Sequence, residues 1–194
     1  MRYAATLLLV TAFATVPEAQ DTEFIRALDR AQAARPATIT TSARIAALDE
    51  PGTPLIIHGK AFAEDGKTPL SGATVFAYHT DRTGLYDKPG SPAHSWRIRG
   101  WARTGSDGGF EFRTIRPGAY PSNRIPQHVH FTVFTADARY HAGELRFADD
   151  PLIPAAERAT SKGEGQFGDV RPVTKEGPAD AVDFAIRLKA GERF

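Results

Sequence analysis

Residues 105–118 read Gly-Ser-Asp-Gly-Gly-Phe-Glu-Phe-Arg-Thr-Ile-Arg-Pro-Gly, and this stretch decides the fold class of the chain. Residues 105–109 are typical of a tight turn, because glycine and aspartate adopt the backbone conformations that turns require. Residues 110–115 are rich in aromatic and β-branched side chains and predict a strand. Residues 116–118 predict a second turn. A short strand between two turns is the repeating unit of an all-β protein.

Six further stretches on either side of this unit predict strands by the same signals. They are residues 55–63, 73–79, 96–104, 128–135 and 142–147, and a last strand in which Val182, Phe184, Ile186 and Leu188 alternate with polar or small residues. Residues 80–95 and 148–180 predict long loops, with a helical turn near residues 155–159. About seven short strands at this spacing predict an all-β fold, a two-sheet β-sandwich with long loops.

The first 54 residues are predicted to precede the sandwich domain, which we place at residues 55–194. Residues 1–19 are typical of a signal peptide, with the basic Arg2, a short apolar run over residues 4–14 and an Ala-Phe-Ala cleavage site at residues 12–14. Ala19 is a second candidate cleavage position, and a buried helix of the mature fold is the alternative. We expect export to the periplasm or beyond. The apolar run is too short for a membrane span.

Residues 20–54 are expected to form a short N-terminal arm. Within residues 20–36 the apolar side chains approximate one face of an amphipathic helix, which Pro36 would end. The remainder, residues 37–54, predicts an extended segment with no chemistry of its own.

The composition excludes several classes of function. The 194 residues carry 24 Lys and Arg against 23 Asp and Glu, a formal charge of +1 with no basic stripe, which argues against nucleic acid as a partner. Cysteine is absent, so there are no disulfides. The sequence lacks the motifs of α/β-hydrolases, P-loops, dinucleotide-binding folds and zinc metalloproteases.

The best candidate site lies in the segment from Pro117 to Phe131. His128 and His130 are two apart in a predicted strand, so both imidazoles face one side. Imidazole suits iron, copper, zinc and nickel, and a phenolate such as that of Tyr120 suits a harder ion, so a mixed set points first to ferric iron. A histidine pair alone is weak evidence for a metal site, because polar residues often line the solvent-exposed face of a strand. The other four histidines do not form a set.

Several ordered stretches resemble the intradiol ring-cleavage dioxygenases, the family of protocatechuate 3,4-dioxygenase and catechol 1,2-dioxygenase. The resemblance covers roughly residues 55–154. It rests on residues 65–73, 84–86, 104–121, 126–131 and 145–154, which include Gly-Leu-Tyr at 84–86, Arg-Pro-Gly-Ala-Tyr-Pro at 116–121 and Pro-Gln-His-Val-His-Phe at 126–131.

The resemblance implies a mononuclear non-haem Fe(3+) centre with Tyr86, Tyr120, His128 and His130 as ligands. It implies a catechol-type substrate and O2, cleavage of the ring between the two hydroxylated carbons, and a muconate-type diacid as product. Tyr120 would correspond to the tyrosinate that leaves the metal and takes a substrate proton. Arg124 would stabilise charge on the ring. Family members commonly associate, so a homo-oligomer is left open.

The chain departs from the family pattern near the histidine strand. Ile125 separates Arg124 from the following proline, Ser122 stands where tryptophan is common, and Glu144 falls near a position often held by glutamine. Arg116 or Arg97 could supply the charge instead of Arg124. Two alternatives stay open: a non-catalytic module resembling transthyretin-like and carboxypeptidase-regulatory sandwiches, and a copper or zinc enzyme on a similar sandwich.

Overall fold

The structure of the chain is a computed structural model that describes residues 22–121 and 125–194. The predicted signal peptide at residues 1–19 and the candidate Arg124 lie outside these residues, and both stay predictions. The chain divides into two compact units, residues 1–33 and residues 34–194.

The described part of the first unit is the helix α1 (Thr22–Ala33), which buries Ala27, Leu28 and Ala31. A helix therefore forms within residues 20–36, where its apolar periodicity predicts one. It ends three residues before Pro36, as expected from the bias of a residue preceding proline against the helical conformation. Among the described helices, none has the length and apolar character needed to cross a membrane.

The described residues of the second unit form ten strands and one α-helix. They are β1 (Ser42–Arg44), β2 (Pro54–Phe62), β3 (Thr74–His79), β4 (Ile98–Arg103), β5 (Gly109–Ile115), β6 (His128–Phe134), β7 (Arg139–Phe147), α2 (Ala155–Gly163), β8 (Val170–Arg171), β9 (Thr174–Glu176) and β10 (Ala179–Arg187). All seven predicted strands are present, as β2 to β7 and β10, and α2 lies where a helical turn is predicted.

The strands form two mixed five-stranded sheets, in the orders β1-β5-β2-β10-β9 and β4-β3-β6-β7-β8. In the first sheet β2 pairs with β10 in parallel and with β5 antiparallel. In the second sheet β3, β6 and β7 form consecutive antiparallel pairs. The prediction of an all-β two-sheet sandwich is confirmed.

The core lies between the sheets and is dominated by large side chains. Ile57, Phe112 and Phe184 of the first sheet face Val129 and Phe131 of the second, and all five are at least 97% buried. The rings of Phe131 and Phe184 stack across the interface at 5.0 Å. The opposite face of β6 is therefore available to carry the polar residues of a site.

The structure adds three short strands that the sequence pattern does not predict, β1, β8 and β9, of which β8 and β9 lie within the predicted loop of residues 148–180. Residues 40–46 lie within the predicted extended arm, yet β1 pairs in parallel with β5 at the edge of the first sheet. The Ile45 amide donates to the Arg113 carbonyl at 2.9 Å, and the Ile45 side chain is buried in the sandwich core. Gly100 is required opposite it, because a Cβ there would lie 2.3 Å from Ile45 Cγ2. A three-residue strand is too short for periodicity to reveal.

Candidate metal centre

Two imidazoles project from the face of β6 that points away from the core. His128 is 4% exposed and His130 is half-buried, whereas Val129 and Phe131 face the sandwich interior. The Nε2 atoms of the two histidines lie 3.0 Å apart. The alternation of a strand thus aims both rings at one point, as the spacing in the sequence predicts.

Two tyrosines reach the same point from separate loops. Tyr86 lies in the β3–β4 loop and Tyr120 in the β5–β6 loop, and their hydroxyl oxygens are in direct contact. The Tyr86 oxygen also lies 2.7 Å from His130 Nε2 and 3.5 Å from His128 Nε2. The structure therefore brings together the four side chains singled out in the sequence.

The two tyrosine-bearing loops cross through a glycine contact. The Gly118 amide donates to the Asp81 carbonyl at 2.8 Å, and the Thr80 hydroxyl donates to the Gly118 carbonyl at 2.8 Å. Gly84 has a φ of +85° and approaches so closely that a Cβ would lie 2.1 Å from the Ala119 carbonyl oxygen. Only glycine satisfies both the left-handed backbone and this approach. The crossing sets the two phenols beside each other.

Arg97 fastens the Tyr86 loop to the body of the protein. Its amide donates to the Tyr86 carbonyl at 3.1 Å, and its guanidinium pairs with Glu50 at 2.9 Å and with Asp81 at 3.3 Å. The hydrogen bonds from Arg97 lower the pKa of Glu50 below its ordinary value. The Tyr86 loop is thus held by a backbone hydrogen bond and by the Arg97 guanidinium, which pairs with the carboxylates of Glu50 and Asp81.

The group that contacts Nδ1 of each histidine indicates which ring nitrogen carries the proton. His128 Nδ1 lies 2.7 Å from the Pro126 carbonyl oxygen, which can only accept, so Nδ1 carries the proton. His130 Nδ1 lies 3.2 Å from a carboxylate oxygen of Glu144, which places its proton there as well. Burial lowers the pKa of His128, which favours the neutral ring. Both Nε2 atoms therefore present lone pairs to the shared point.

Glu144 is a member of the site whose position sequence reasoning did not predict. It stands on β7 opposite His130, and its second oxygen accepts a hydrogen bond from Arg146 at 2.7 Å. Arg146 also pairs with Glu157 of α2 at 2.5 Å. The hydrogen bond from His130 is the largest cause of the lowered pKa of Glu144. The sequence signal that could have pointed to this residue is a glutamate near a position where the family often has glutamine.

Tyr78 is the second functional neighbour that the sequence did not reveal. It pairs with His130 across β3 and β6, and its ring stacks on the imidazole at 4.7 Å and on Trp96 at 4.3 Å. Tyr78 is 7% exposed, so this stack covers one face of the His130 ring. Cross-strand register, which no local pattern reports, creates this contact.

The donor set fits a hard trivalent ion. Burial raises the pKa of Tyr86 and of Tyr120, so a phenolate at either position needs a cation beside it. Two lone pairs 3.0 Å apart likewise repel unless a positive charge lies between them. His128, His130 and Glu144 have possible ligand atoms within 4.8 Å of one another, but Glu144 contacts Nδ1 of His130, on the side of the ring away from the phenols. A set of two phenol oxygens and two imidazole nitrogens suits ferric iron better than it suits zinc or copper.

The three arginines considered for charge stabilisation differ in their surroundings. Arg124 lies outside the described residues. Arg116 pairs with Asp149 at 2.6 Å and with Asp180 at 3.1 Å, and its guanidinium lies over the Phe147 ring at 4.7 Å. Arg97, as described above, also lies between two carboxylates. Each of these two guanidinium groups is therefore balanced locally, and the charge-stabilising role of Arg124 stays a prediction.

Comparison with known proteins places the chain in a family. Residues 28–190 match the sequence profile of the family described as Dioxygenase. The chain is 36% identical to catechol 1,2-dioxygenase 1 of Acinetobacter lwoffii over 124 residues, which are 54% of this chain and 39% of that protein. It is 27% identical to the protocatechuate 3,4-dioxygenase beta chain of Burkholderia cepacia over 158 residues, 71% of this chain and 65% of that protein. The chain thus spans less than two thirds of the length of these relatives.

Solved structures give the same answer for the fold. The dioxygenase domain of a carbohydrate-binding fusion protein from Streptomyces sp. SirexAA-E matches with a TM-score of 0.58 and 25% identity, covering 79% of this chain and 91% of that one. Catechol 1,2-dioxygenase of Acinetobacter sp. ADP1 matches with a TM-score of 0.57 and 22% identity, covering 86% of this chain and 67% of that one. The chain belongs to the intradiol ring-cleavage dioxygenase family.

Proposed function

We propose that this chain is a non-haem ferric dioxygenase, which uses O2 to cleave a catechol-type ring between its two hydroxylated carbons and yields a muconate-type diacid. One observation carries the proposal. The two phenol oxygens and the two imidazole lone pairs, from three separate segments of the chain, converge on one point. The family membership supports the reaction class.

The residues that would hold the ion are Tyr86, Tyr120, His128 and His130. When bound, Fe(3+) would act as a Lewis acid and as a template that orients the catechol oxygens. The carbonyl of Pro126 and the carboxylate of Glu144 orient the two imidazoles, so that both rings present Nε2 to the same point. These contacts make the site rigid on the histidine side.

Tyr120 is suited to accept a proton from the substrate. Burial raises its pKa above the ordinary value of a phenol, so its phenolate is a stronger base than that of an exposed tyrosine. Its side chain stands on a loop, and its amide donates to the Ile125 carbonyl at 3.2 Å. A catechol that binds through both oxygens must lose two protons, and Tyr120 would take one of them.

Tyr86 and the aromatic residues around it would keep the site dry on its inner side. The Tyr78 ring lies 5.7 Å from the Tyr86 ring and stacks between Trp96 and His130. A low local dielectric strengthens the attraction between phenolates and a cation. We assign to Tyr86 the role of a ligand that stays in place during turnover.

The test is oxygen uptake by the iron-loaded protein across a panel of catechol, protocatechuate, hydroxyquinol and their chlorinated forms, with the products identified by mass. We expect one O2 consumed for each ring opened and a product heavier than the substrate by two oxygen atoms. A visible phenolate-to-iron absorption band should accompany iron loading. A colourless protein that takes up no iron from iron-replete medium would contradict the proposal.

The same experiment separates the two alternatives. A non-catalytic sandwich has no need for four donor atoms at one point, and it would bind no iron and consume no oxygen. A copper or zinc enzyme would retain that metal in preference to iron, and its histidines alone would account for binding. Metal analysis of the protein as isolated distinguishes these outcomes.

A further inference from the structure

We propose that Glu144 is a positioning residue of the metal centre, which holds His130 as its Nδ1–H tautomer and keeps a fixed negative charge directly behind that ligand. The inference rests on the proposed function, because it concerns the same ion. It goes beyond that function by assigning a role to a residue outside the four-donor set.

The position of Glu144 follows from strand register. His130 of β6 pairs with Glu144 of β7, and the register shifts immediately afterwards, between His130 and Thr132. Side chains directly opposite on antiparallel strands share one face and lie within contact distance. Glu144 Oε1 accordingly lies 3.2 Å from His130 Nδ1. The carboxylate is therefore built into the sheet and does not depend on a loop.

The second oxygen of Glu144 prevents the carboxylate from turning away. Arg146 donates to Oε2 at 2.7 Å and pairs through its other terminal nitrogen with Glu157 of α2 at 2.5 Å. Each oxygen of Glu144 thus has a separate partner, one on the ligand and one on a guanidinium that α2 holds. Hydrogen bonds between charged groups are the stronger kind and favour one geometry.

Glu144 contacts the side of His130 that faces away from the other donors. The imidazole uses Nδ1 for Glu144, and its Nε2 lies 2.7 Å from the Tyr86 oxygen and 3.0 Å from His128 Nε2. A carboxylate on Nδ1 raises the electron density available at Nε2 and fixes the orientation of the ring. We therefore assign Glu144 to positioning and not to direct ligation.

The charge of Glu144 should matter as much as its hydrogen bond. A glutamine could accept from Nδ1–H with its amide oxygen, but it would add no negative charge. A nearby negative charge favours the trivalent over the divalent ion, because its attraction grows with the charge of the ion. Loss of an outer partner of a metal-bound histidine typically weakens metal binding about 10- to 100-fold. We expect Glu144 to contribute at the lower end of this range, because it is part-exposed.

The experiment compares Glu144→Gln with wild type by chelator competition for Fe(3+) and by redox titration. We expect about tenfold weaker Fe(3+) binding and a smaller loss for Fe(2+), about fivefold, because the attraction scales with the charge of the ion. The affinity ratio then changes about twofold, which corresponds to a reduction potential about 20 mV more positive for one electron. The phenolate-to-iron absorption band should shift as well. A general loss of packing would not change the potential in this direction.

Glu176→Gln is the matched control. Glu176 Oε1 lies 2.6 Å from His58 Nε2 on the first sheet, so the variant removes the same charge from the same kind of contact. Glu176→Gln should leave both the Fe(3+) affinity and the reduction potential unchanged. Equal Fe(3+) affinity and equal potential in Glu144→Gln and wild type would overturn the inference, and so would an equal effect of Glu176→Gln.

A second measurement requires no variant. In wild-type protein loaded with diamagnetic Ga(3+), long-range proton–nitrogen NMR should place the His130 proton on Nδ1. A proton on Nε2 would overturn the inference even if Glu144→Gln failed to fold. Wild-type protein that binds neither Fe(3+) nor Ga(3+) would overturn both the proposed function and this inference, whereas iron binding with unchanged Glu144→Gln overturns only the inference.

Discussion

His128 Nε2 and His130 Nε2 lie 3.0 Å apart, although both rings direct their protonated Nδ1 atoms elsewhere. Two nitrogen lone pairs at this distance cannot hydrogen-bond to each other. The sheet and its surroundings hold them together nevertheless, with Pro126 behind one ring and Glu144 behind the other. This arrangement is what a shared cation requires.

Tyr86→Phe should lose iron. The Tyr86 oxygen contacts the Tyr120 oxygen and both imidazoles, so its removal takes away the donor nearest the other three. His130→Ala should have the same result. The measurement is iron stoichiometry after dialysis, together with the visible absorption of the loaded protein. Tyr140→Phe is the control, since Tyr140 is a buried phenol of β7 within the sandwich core and should leave iron binding intact. Full iron occupancy in Tyr86→Phe would remove Tyr86 from the ligand set.

Tyr120→Phe should retain most of its iron but lose turnover. The proposed role of Tyr120 is to accept a substrate proton, and loss of a general base commonly lowers the rate about 10²- to 10⁴-fold. Oxygen uptake and iron content are measured on the same preparation, so that the two effects are separated. Catechol cleavage at the wild-type rate would eliminate this role for Tyr120.

Arg97→Ala should weaken iron binding without touching a donor atom. Its guanidinium joins Glu50 and Asp81 beside the loop that carries Tyr86, so its loss should allow the Tyr86 oxygen to move. We expect a decrease of about tenfold in Fe(3+) affinity, the lower bound for loss of an outer contact. The control is Arg113→Ala, which removes an arginine–carboxylate pair with Glu111 at 2.7 Å on the first sheet. Equal iron affinity in both variants would show that the loop is held by its backbone alone.

His79 should make the stability of the protein depend on pH. It is fully buried between the Thr80 carbonyl and the Thr114 hydroxyl, and burial lowers its pKa to about 4. The unfolded chain binds the proton near pH 6.5, so stability is complete above that pH and falls as the pH decreases toward 4. The full loss is about 3 kcal/mol in the free energy of unfolding.

The test compares iron-loaded wild type and His79→Gln by urea unfolding at pH 7 and near pH 4. Contributions from the other titratable groups cancel in the difference between the two proteins. We expect the advantage of wild type over His79→Gln to shrink by about 3 kcal/mol on acidification. An advantage that is the same at both pH values would mean that His79 keeps its ordinary pKa in the fold.

Local patterns were sufficient for the strands and for part of the site. The alternation of β10 and the turns on either side of β5 reflect the period of two in a pleated strand and the backbone preferences of glycine. The same period places His128 and His130 on one face of β6. These features depend on residues close together in the chain, and the sequence alone predicts them. The roles of Tyr86 and Tyr120 came from resemblance to the family.

Contacts between distant segments required the tertiary structure. β1 joins the first sheet through a three-residue pairing that has no periodicity of its own. The two tyrosine loops meet because Gly84 and Gly118 allow their backbones to touch.

The sequence by itself determined the all-β sandwich, the histidine pair and its outward face, because a strand encodes these in neighbouring residues. Only the tertiary structure decided that Glu144 stands behind His130 and that Tyr78 stacks on its ring. Both contacts arise from the register of β6 with its two neighbours. A shift of one residue would turn either side chain to the opposite face, and register depends on the packing of the whole sheet.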